Sequence, residues 1–369
     1  MELTDDYRPG SFFFATGEST LLASDPRHVL SEKNTTALSA QVTEALTEYG
    51  GIAAGVLPYD DTGATHMLLP RTVSWSGPVQ PGRQAAVLGG YRVTPEPAPQ
   101  EYERQVAKAL TLLKGGGLGK VVLARTLRID LDDPVDMRSM LRNLASMNTH
   151  GLTFAAPLPT PGVTLVSASP ELLVRRTGRT FVSRPLAGSQ PRGKDPVEDR
   201  ANAQRLLASR KDHDEHRPVV EAEVAALRPF CRRLDVPSEP SLVSTPSMWH
   251  LCTRITGELV DPSVTALTLA AALHPTPAVC GSPTRAARDT IAQLESFDRG
   301  FYTGAAGWVD ANGDGEWAVS IRSAEVTDQS LRLYAGAGIV DASEPALELA
   351  ETSAKFQTLL RGMGLDLKL

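Results

Sequence analysis

Residues 304–340, GAAGWVDANGDGEWAVSIRSAEVTDQSLRLYAGAGIV, do most to limit how this chain can fold. Apolar and polar residues alternate along this stretch, and ANGDG and TDQS interrupt it with residues that favour tight turns. A period of two sends successive side chains to opposite faces of a sheet, so the stretch predicts a three-strand antiparallel meander. Trp317, Val319 and Ile321 are expected on one face and Ala318, Ser320 and Arg322 on the other. That places a guanidinium on a central strand, where it is either solvated or grips a planar anion.

Much of the remaining chain reads the same way. SFFFATGESTLLAS (11–24) and GIAAGVLPYDDTGATHMLLP (51–70) predict strands and turns, making residues 1–95 a sheet region. VTPEPAPQ (93–100), with three prolines, is the candidate linker to a catalytic core at 98–365. In EYERQVAKALTLLKGGG, Tyr102, Val106, Leu110 and Leu113 recur at helical spacing, and the glycines from Gly115 end the helix. KVVLARTLRIDL predicts a buried strand, and VTLVSASPELLVRRTGRTFVSRPLAG short strands with a turn at Thr177–Gly178. Residues 196–210, 215–230, 285–297 and EPALELAETSAKFQTLLRGM predict helices. Strands outnumber βαβ units, so the expected class is α+β, a sandwich-like pair of sheet-centred halves wrapped by helices, within one unit of 369 residues.

Composition removes several functions. A net charge of -6 without a basic block argues against nucleic acid. No apolar run approaches the ~18 residues that span a bilayer, and the acidic start MELTDDYRPG lacks a signal-peptide layout. Cys231, Cys252 and Cys280 have no metal-like spacing and fit a reducing compartment. The expectation is a cytoplasmic globular protein.

Ionisable chemistry concentrates in KDHDEHRPVVEAEV (211–224). Zinc is a poor fit, since HDEH (213–216) is one residue short of an inverted zincin pattern and no third ligand is near. KGGGLGKV fails as a phosphate loop, with Val121 where Ser or Thr must stand. Asp212 and Glu215 are three apart, as are Glu348 and Glu351, so each pair shares a helix face; Lys355 joins the second. These are either surface salt-bridging residues or two halves of a site for a hard cation such as magnesium. Lys120 opens an apolar strand. It either reaches solvent or, if buried, is disfavoured as an ammonium and becomes a general base. Glu171, in SASPELLV, is in the opposite position: burial keeps a carboxyl protonated as an acid.

Ten segments in order, including GKVVLAR, SASPELL, RPLAGSQPRG, KDHDEH, MWHLCTRITGEL, LHPTPAVCG, FDRGFYTGAAGW, AVSIRSAEV, LYAGAGIV and ELAETSAKF, resemble the chorismate-binding enzymes, most of all isochorismate synthases. They cover about two-thirds of the chain, from about 118 to 360. The resemblance implies an active site in the cleft between the two halves. Glu215 and Glu351 would hold Mg2+, with Asp212 and Glu348 supporting them through water. Arg322 and Tyr302 would hold the enolpyruvyl carboxylate, with backbone near Gly336. Gly188, Ser189 and Lys355 would meet the other end of the substrate, and His250 would lie beside the ring. Lys120 would be the base, with water as nucleophile, and Glu171 the acid.

The same resemblance places Ala278 and Val279 where salicylate-forming members carry a threonine-containing stretch, which favours stopping at isochorismate. The rivals are a salicylate synthase, an amino-transferring member with a glutaminase partner, and a non-catalytic chorismate-binding protein. The product would serve 2,3-dihydroxybenzoate siderophores or menaquinone, from a monomer with no obligatory protein partner. Two departures stand out. Pro218 would kink the helix expected to begin at Glu215, and Tyr302 stands where some isochorismate synthases have phenylalanine.

Overall fold

The computed structural model describes residues 2–60, 63–80, 90–365 and 367. Among the described residues, seventeen strands form one antiparallel ribbon. Its first arm runs Cys231–Asp235, Ile255–Leu259, Thr180–Arg184, Leu172–Thr177, Gly315–Val319, Ala305–Asp310, Ile52–Leu57. His66–Ser76 and Thr20–Leu30 turn the corner. The second arm runs Phe12–Ala15, Leu152–Pro157, Thr164–Ser169, Ser323–Val326, Ser330–Ile339, Lys120–Leu131. Tyr91–Glu96 and Gly281–Ser282 both flank this last strand. A separate three-stranded sheet joins Leu186–Pro191, Met248–Cys252 and Ser241–Ser244.

The arms pack face to face. Phe12, Phe14, Phe154 and Leu165 of one side meet Leu172, Ala306 and Ala318 of the other in a shared interior. Because both faces of each arm are covered, the FFFA strand does not alternate apolar with polar. Phe12 and Phe14 point inward, while Phe13 and Ala15 pack beneath helices Met137–Met147 and Pro345–Gly362. Outside the first arm lie helices Thr35–Tyr49, Arg210–Leu227 and Ala266–Leu273. The α+β expectation holds, and strands from before residue 95 pair directly with strands from after it.

Several local expectations need correction. The stretch 304–340 forms four strands in two hairpins, not a three-strand meander. Gly315–Val319 pairs with Leu172–Thr177, whereas Ser323–Val326 pairs with Thr164–Ser169, so the chain leaves one arm for the other between them. Arg322 lies in that step, with φ 51, and not within a strand. Half of the proposed linker is strand Tyr91–Glu96, and helix Pro99–Lys114 follows at once. Helix Thr35–Tyr49 was hidden in the supposed sheet region; Asn34 caps it, and Leu38, Val42 and Leu46 form its buried stripe. Within the stretch 51–70, expected to form strands and turns, Asp61 and Thr62 lie outside the described residues.

The helix expected to begin at Glu215 begins at Arg210, capped by the Ser209 side chain. It continues through Pro218, which has no N–H to offer the carbonyl of Asp214 one turn earlier. Glu215 therefore sits in the second turn.

The Phe14 and Phe154 rings stack at 6.4 Å across the junction of N-terminal and central strands. Phe154→Ala is expected to lose about 3–5 kcal/mol of stability by equilibrium denaturation. A loss under ~1 kcal/mol would mean this junction is not part of the cooperative core.

Candidate active site

Two chain crossings between the arms build the floor of a cleft. Pro170–Glu171 links strand Thr164–Ser169 to Leu172–Thr177, and Ser320–Arg322 makes the return step. They lie side by side: Val319 N donates to Glu171 O at 3.1 Å and Ala168 N to Arg322 O at 3.1 Å. Ser167 Oγ donates to Ile321 O at 2.7 Å. Glu171 and Arg322 are thus held together by backbone that the sheets immobilise.

Around them is a cleft enclosing about 600 Å³ of empty space including its open mouth. Glu171, Gly188, Ser189, Glu215, His250, Ala278, Tyr302, Arg322, Gly336, Glu351 and Lys355, all singled out from sequence, line it. Lys120, Asp212 and Glu348 stand just behind. Lys120 is 1% exposed, so it does not snorkel to solvent. Its Nζ lies 3.1 Å from Glu215 Oε1, yet the geometry makes no hydrogen bond and the amine's N–H groups are otherwise unpartnered. This approach requires Gly338: a Cβ there would come within 2.2 Å of Glu215 Oε1 and 2.9 Å of Lys120 Cε. Gly188, at φ 77, likewise leaves room for Asp212.

The four carboxylates come from helices Arg210–Leu227 and Pro345–Gly362. Lys211 spans the two helices to Glu348 at 3.1 Å, and Lys355 holds Glu351 at 2.6 Å while donating to Gly336 O at 2.8 Å. Burial and then repulsion from Glu351 push Glu348 up. Burial raises Asp212 too, with Glu215 and Glu351 adding to it against the Ser209 hydroxyl. Burial also works against ionised Glu351, but Lys355 and Lys211 together hold its carboxyl below the ordinary value. Among the described residues, no three His, Cys, Asp or Glu side chains already converge as a metal cage. The set is nonetheless hard oxygen donors under mutual repulsion, which suits a divalent cation such as magnesium.

Glu171 is fully buried; desolvation raises its carboxyl to about 7, despite the Leu186 N–H at 3.5 Å and the nearby cations Lys120, Arg322 and Lys355. Arg322 Nη2 donates to His250 Nε2 at 3.3 Å, and the other imidazole nitrogen faces the Gly188 carbonyl. Burial, with Arg322 and Lys355 beside it, pushes His250 well below its ordinary value, so the ring is neutral. Arg322 Nε is buried without a partner, an orphan donor that fits an incoming carboxylate. Tyr302 stacks on Tyr334 at 4.8 Å, with its hydroxyl close to Gly336.

The two histidines once weighed for zinc diverge. His213 is half-buried and contacts Leu207 O, whereas His216 is buried against Thr253 Oγ1 at 2.8 Å and lowered to about 4 by burial, then by Lys120. Lys211, Val122, Pro170 and Thr303 take part in the site but were not singled out from sequence. Lys211 carried a signal, adjoining Asp212 in the acidic run; Thr303, at φ 59, carried none.

A family model described as chorismate binding enzyme matches residues 83–364. Isochorismate synthase DhbC of Bacillus subtilis (strain 168) is 48% identical over 382 residues, covering 99% of this chain and 96% of that one. The vibriobactin-specific isochorismate synthase of Vibrio cholerae is 39% identical, covering 96% and 92%. A crystal structure described as a 2,3-dihydroxybenzoate-specific isochorismate synthase, DhbC from Bacillus anthracis, superposes with a TM-score of 0.94 at 44% identity over 99% of both chains. With the ordered motifs, the cleft and these likenesses in agreement, the chain belongs to the chorismate-binding enzymes.

Proposed function

We propose that this enzyme is an isochorismate synthase that converts chorismate reversibly to isochorismate, and that it serves 2,3-dihydroxybenzoate-type siderophore synthesis. The observation that carries the reaction is a buried amine beside Glu215 together with a raised Glu171 carboxyl at one cavity. The vibriobactin-specific relative of Vibrio cholerae and the 2,3-dihydroxybenzoate-specific one of Bacillus anthracis support the pathway.

Water attacks ring carbon 2 and gives its proton to Lys120 Nζ, the general base. The ring double bonds shift, the carbon 4–oxygen bond breaks, and Glu171 protonates the departing hydroxyl, which leaves as water. One water enters and one leaves, so the equilibrium lies near unity. Arg322 and Tyr302 hold the enolpyruvyl carboxylate with backbone at Gly336, Gly188 and Ser189 bound the far end near Lys355, and neutral His250 sits beside the ring. Ala278 supplies a small apolar wall. Glu215 and Glu351 would hold Mg2+, with Asp212 and Glu348 supporting through water; the ion supplies positive charge for the ring carboxylate. The chain's three cysteines are free, which supports the cytoplasm. Among the described residues, no helix is long and apolar enough to cross a membrane.

Chorismate plus magnesium is expected to yield isochorismate alone on chromatography. Pyruvate release would identify a salicylate synthase, ammonia-dependent product an amino-transferring enzyme, and no turnover a binding protein. Lys120→Ala and Glu171→Gln are each expected to lower kcat at least ~100-fold with the fold intact by circular dichroism; near-normal kcat in either refutes its role. A general acid must be protonated, so kcat/KM is expected to fall as pH rises through about 7, the value burial sets for Glu171. A rate unchanged up to pH 9 would remove Glu171 from the acid step.

A further inference from the structure

Arg125 lies on the strand of Lys120 but on its opposite face, away from the cavity that Val122 lines. It is 2% exposed and makes no ion pair among the described residues. Buried guanidinium groups ordinarily take a carboxylate, because desolvating the charge is costly. Here Nε donates to Thr352 Oγ1 at 2.8 Å and Nη2 to Ser353 Oγ at 2.7 Å. The guanidinium also lies 5.0 Å from the centre of the Phe356 ring. Thr352, Ser353 and Phe356 are all on helix Pro345–Gly362, which carries Glu348, Glu351 and Lys355, while the Tyr102 ring of helix Pro99–Lys114 lies 5.9 Å from the guanidinium.

A helix turns about 100° per residue, so gripping two consecutive side chains fixes its rotation as well as its height. Thr352 directly follows Glu351 and also donates to Leu349 O at 2.9 Å, tying the grip to the first turns. We propose that Arg125 is a positioning residue: its two-pronged grip on Thr352 and Ser353 sets the rotation at which Glu351 and Glu348 face the cavity, and so sets cation affinity. This rests on the reading of Glu351 as a magnesium ligand.

The test is calorimetric titration of magnesium alone into the free, full-length enzyme. Arg125→Met is expected to weaken binding about tenfold, and Thr352→Val/Ser353→Ala, which leaves the arginine in place, to do the same. Arg125→Lys keeps the charge without the fork and is expected to match Arg125→Met. Melting temperatures are recorded in parallel, since a merely structural role lowers them without moving the dissociation constant. Unchanged affinity in Arg125→Met and in the double variant overturns the proposal, as does wild-type affinity in Arg125→Lys. If Glu351→Gln binds magnesium as the wild type does, the ligand reading falls instead, whatever the Arg125 variants show.

Discussion

The paired crossings at Pro170–Glu171 and Ser320–Arg322 are the constraint on which the site depends. A sandwich whose arms belong to one ribbon must pass chain between its layers, and those passages lack the ladder bonds of a strand. Here each crossing satisfies the other, through Val319 N to Glu171 O and Ala168 N to Arg322 O. The backbone is therefore rigid where it is irregular, and the side chains at its bends are aimed inward from fixed points. Arg322 at φ 51 is the strained expression of this arrangement.

Electrostatics follow from that placement. Glu171 enters an interior where burial outweighs three nearby cations, so its carboxyl stays high. Across the cleft, three of the four carboxylates each lie against a lysine: Glu215 against Lys120, Glu348 against Lys211, Glu351 against Lys355. Carboxylates so close together repel one another, and the lysines offset that repulsion in the protein alone. A divalent ion would act on the same repulsion. The small sheet supplies the remaining wall, because Ser189 and His250 are directly paired across it.

Legibility in the sequence was uneven, for physical reasons. Helix-face spacing correctly grouped Glu348, Glu351 and Lys355, since neighbours along a helix need no tertiary information. The motif resemblance brought distant segments to one cavity, which spacing alone could not. Arg322 was misplaced on a strand because alternation continues through Ser320–Ile321–Arg322 while the partner strand changes. Helix Thr35–Tyr49 was overlooked beside strong strand signals, although its cap and buried stripe were visible. Pro218 pointed to a kink in a helix starting at Glu215, but Ser209 capping starts the helix at Arg210 and burial of the apolar face carries it through Pro218.

By itself the sequence determined the antiparallel α+β class, the helix faces bearing the acidic pairs, and the family, because these depend on local periodicity and ordered motifs. Only the tertiary structure decided that the Lys120 amine is dry, that Glu171 is raised, and that Gly338 leaves the space where Lys120 meets Glu215. Desolvation and close approach depend on which surfaces meet, and no spacing along the chain encodes that meeting.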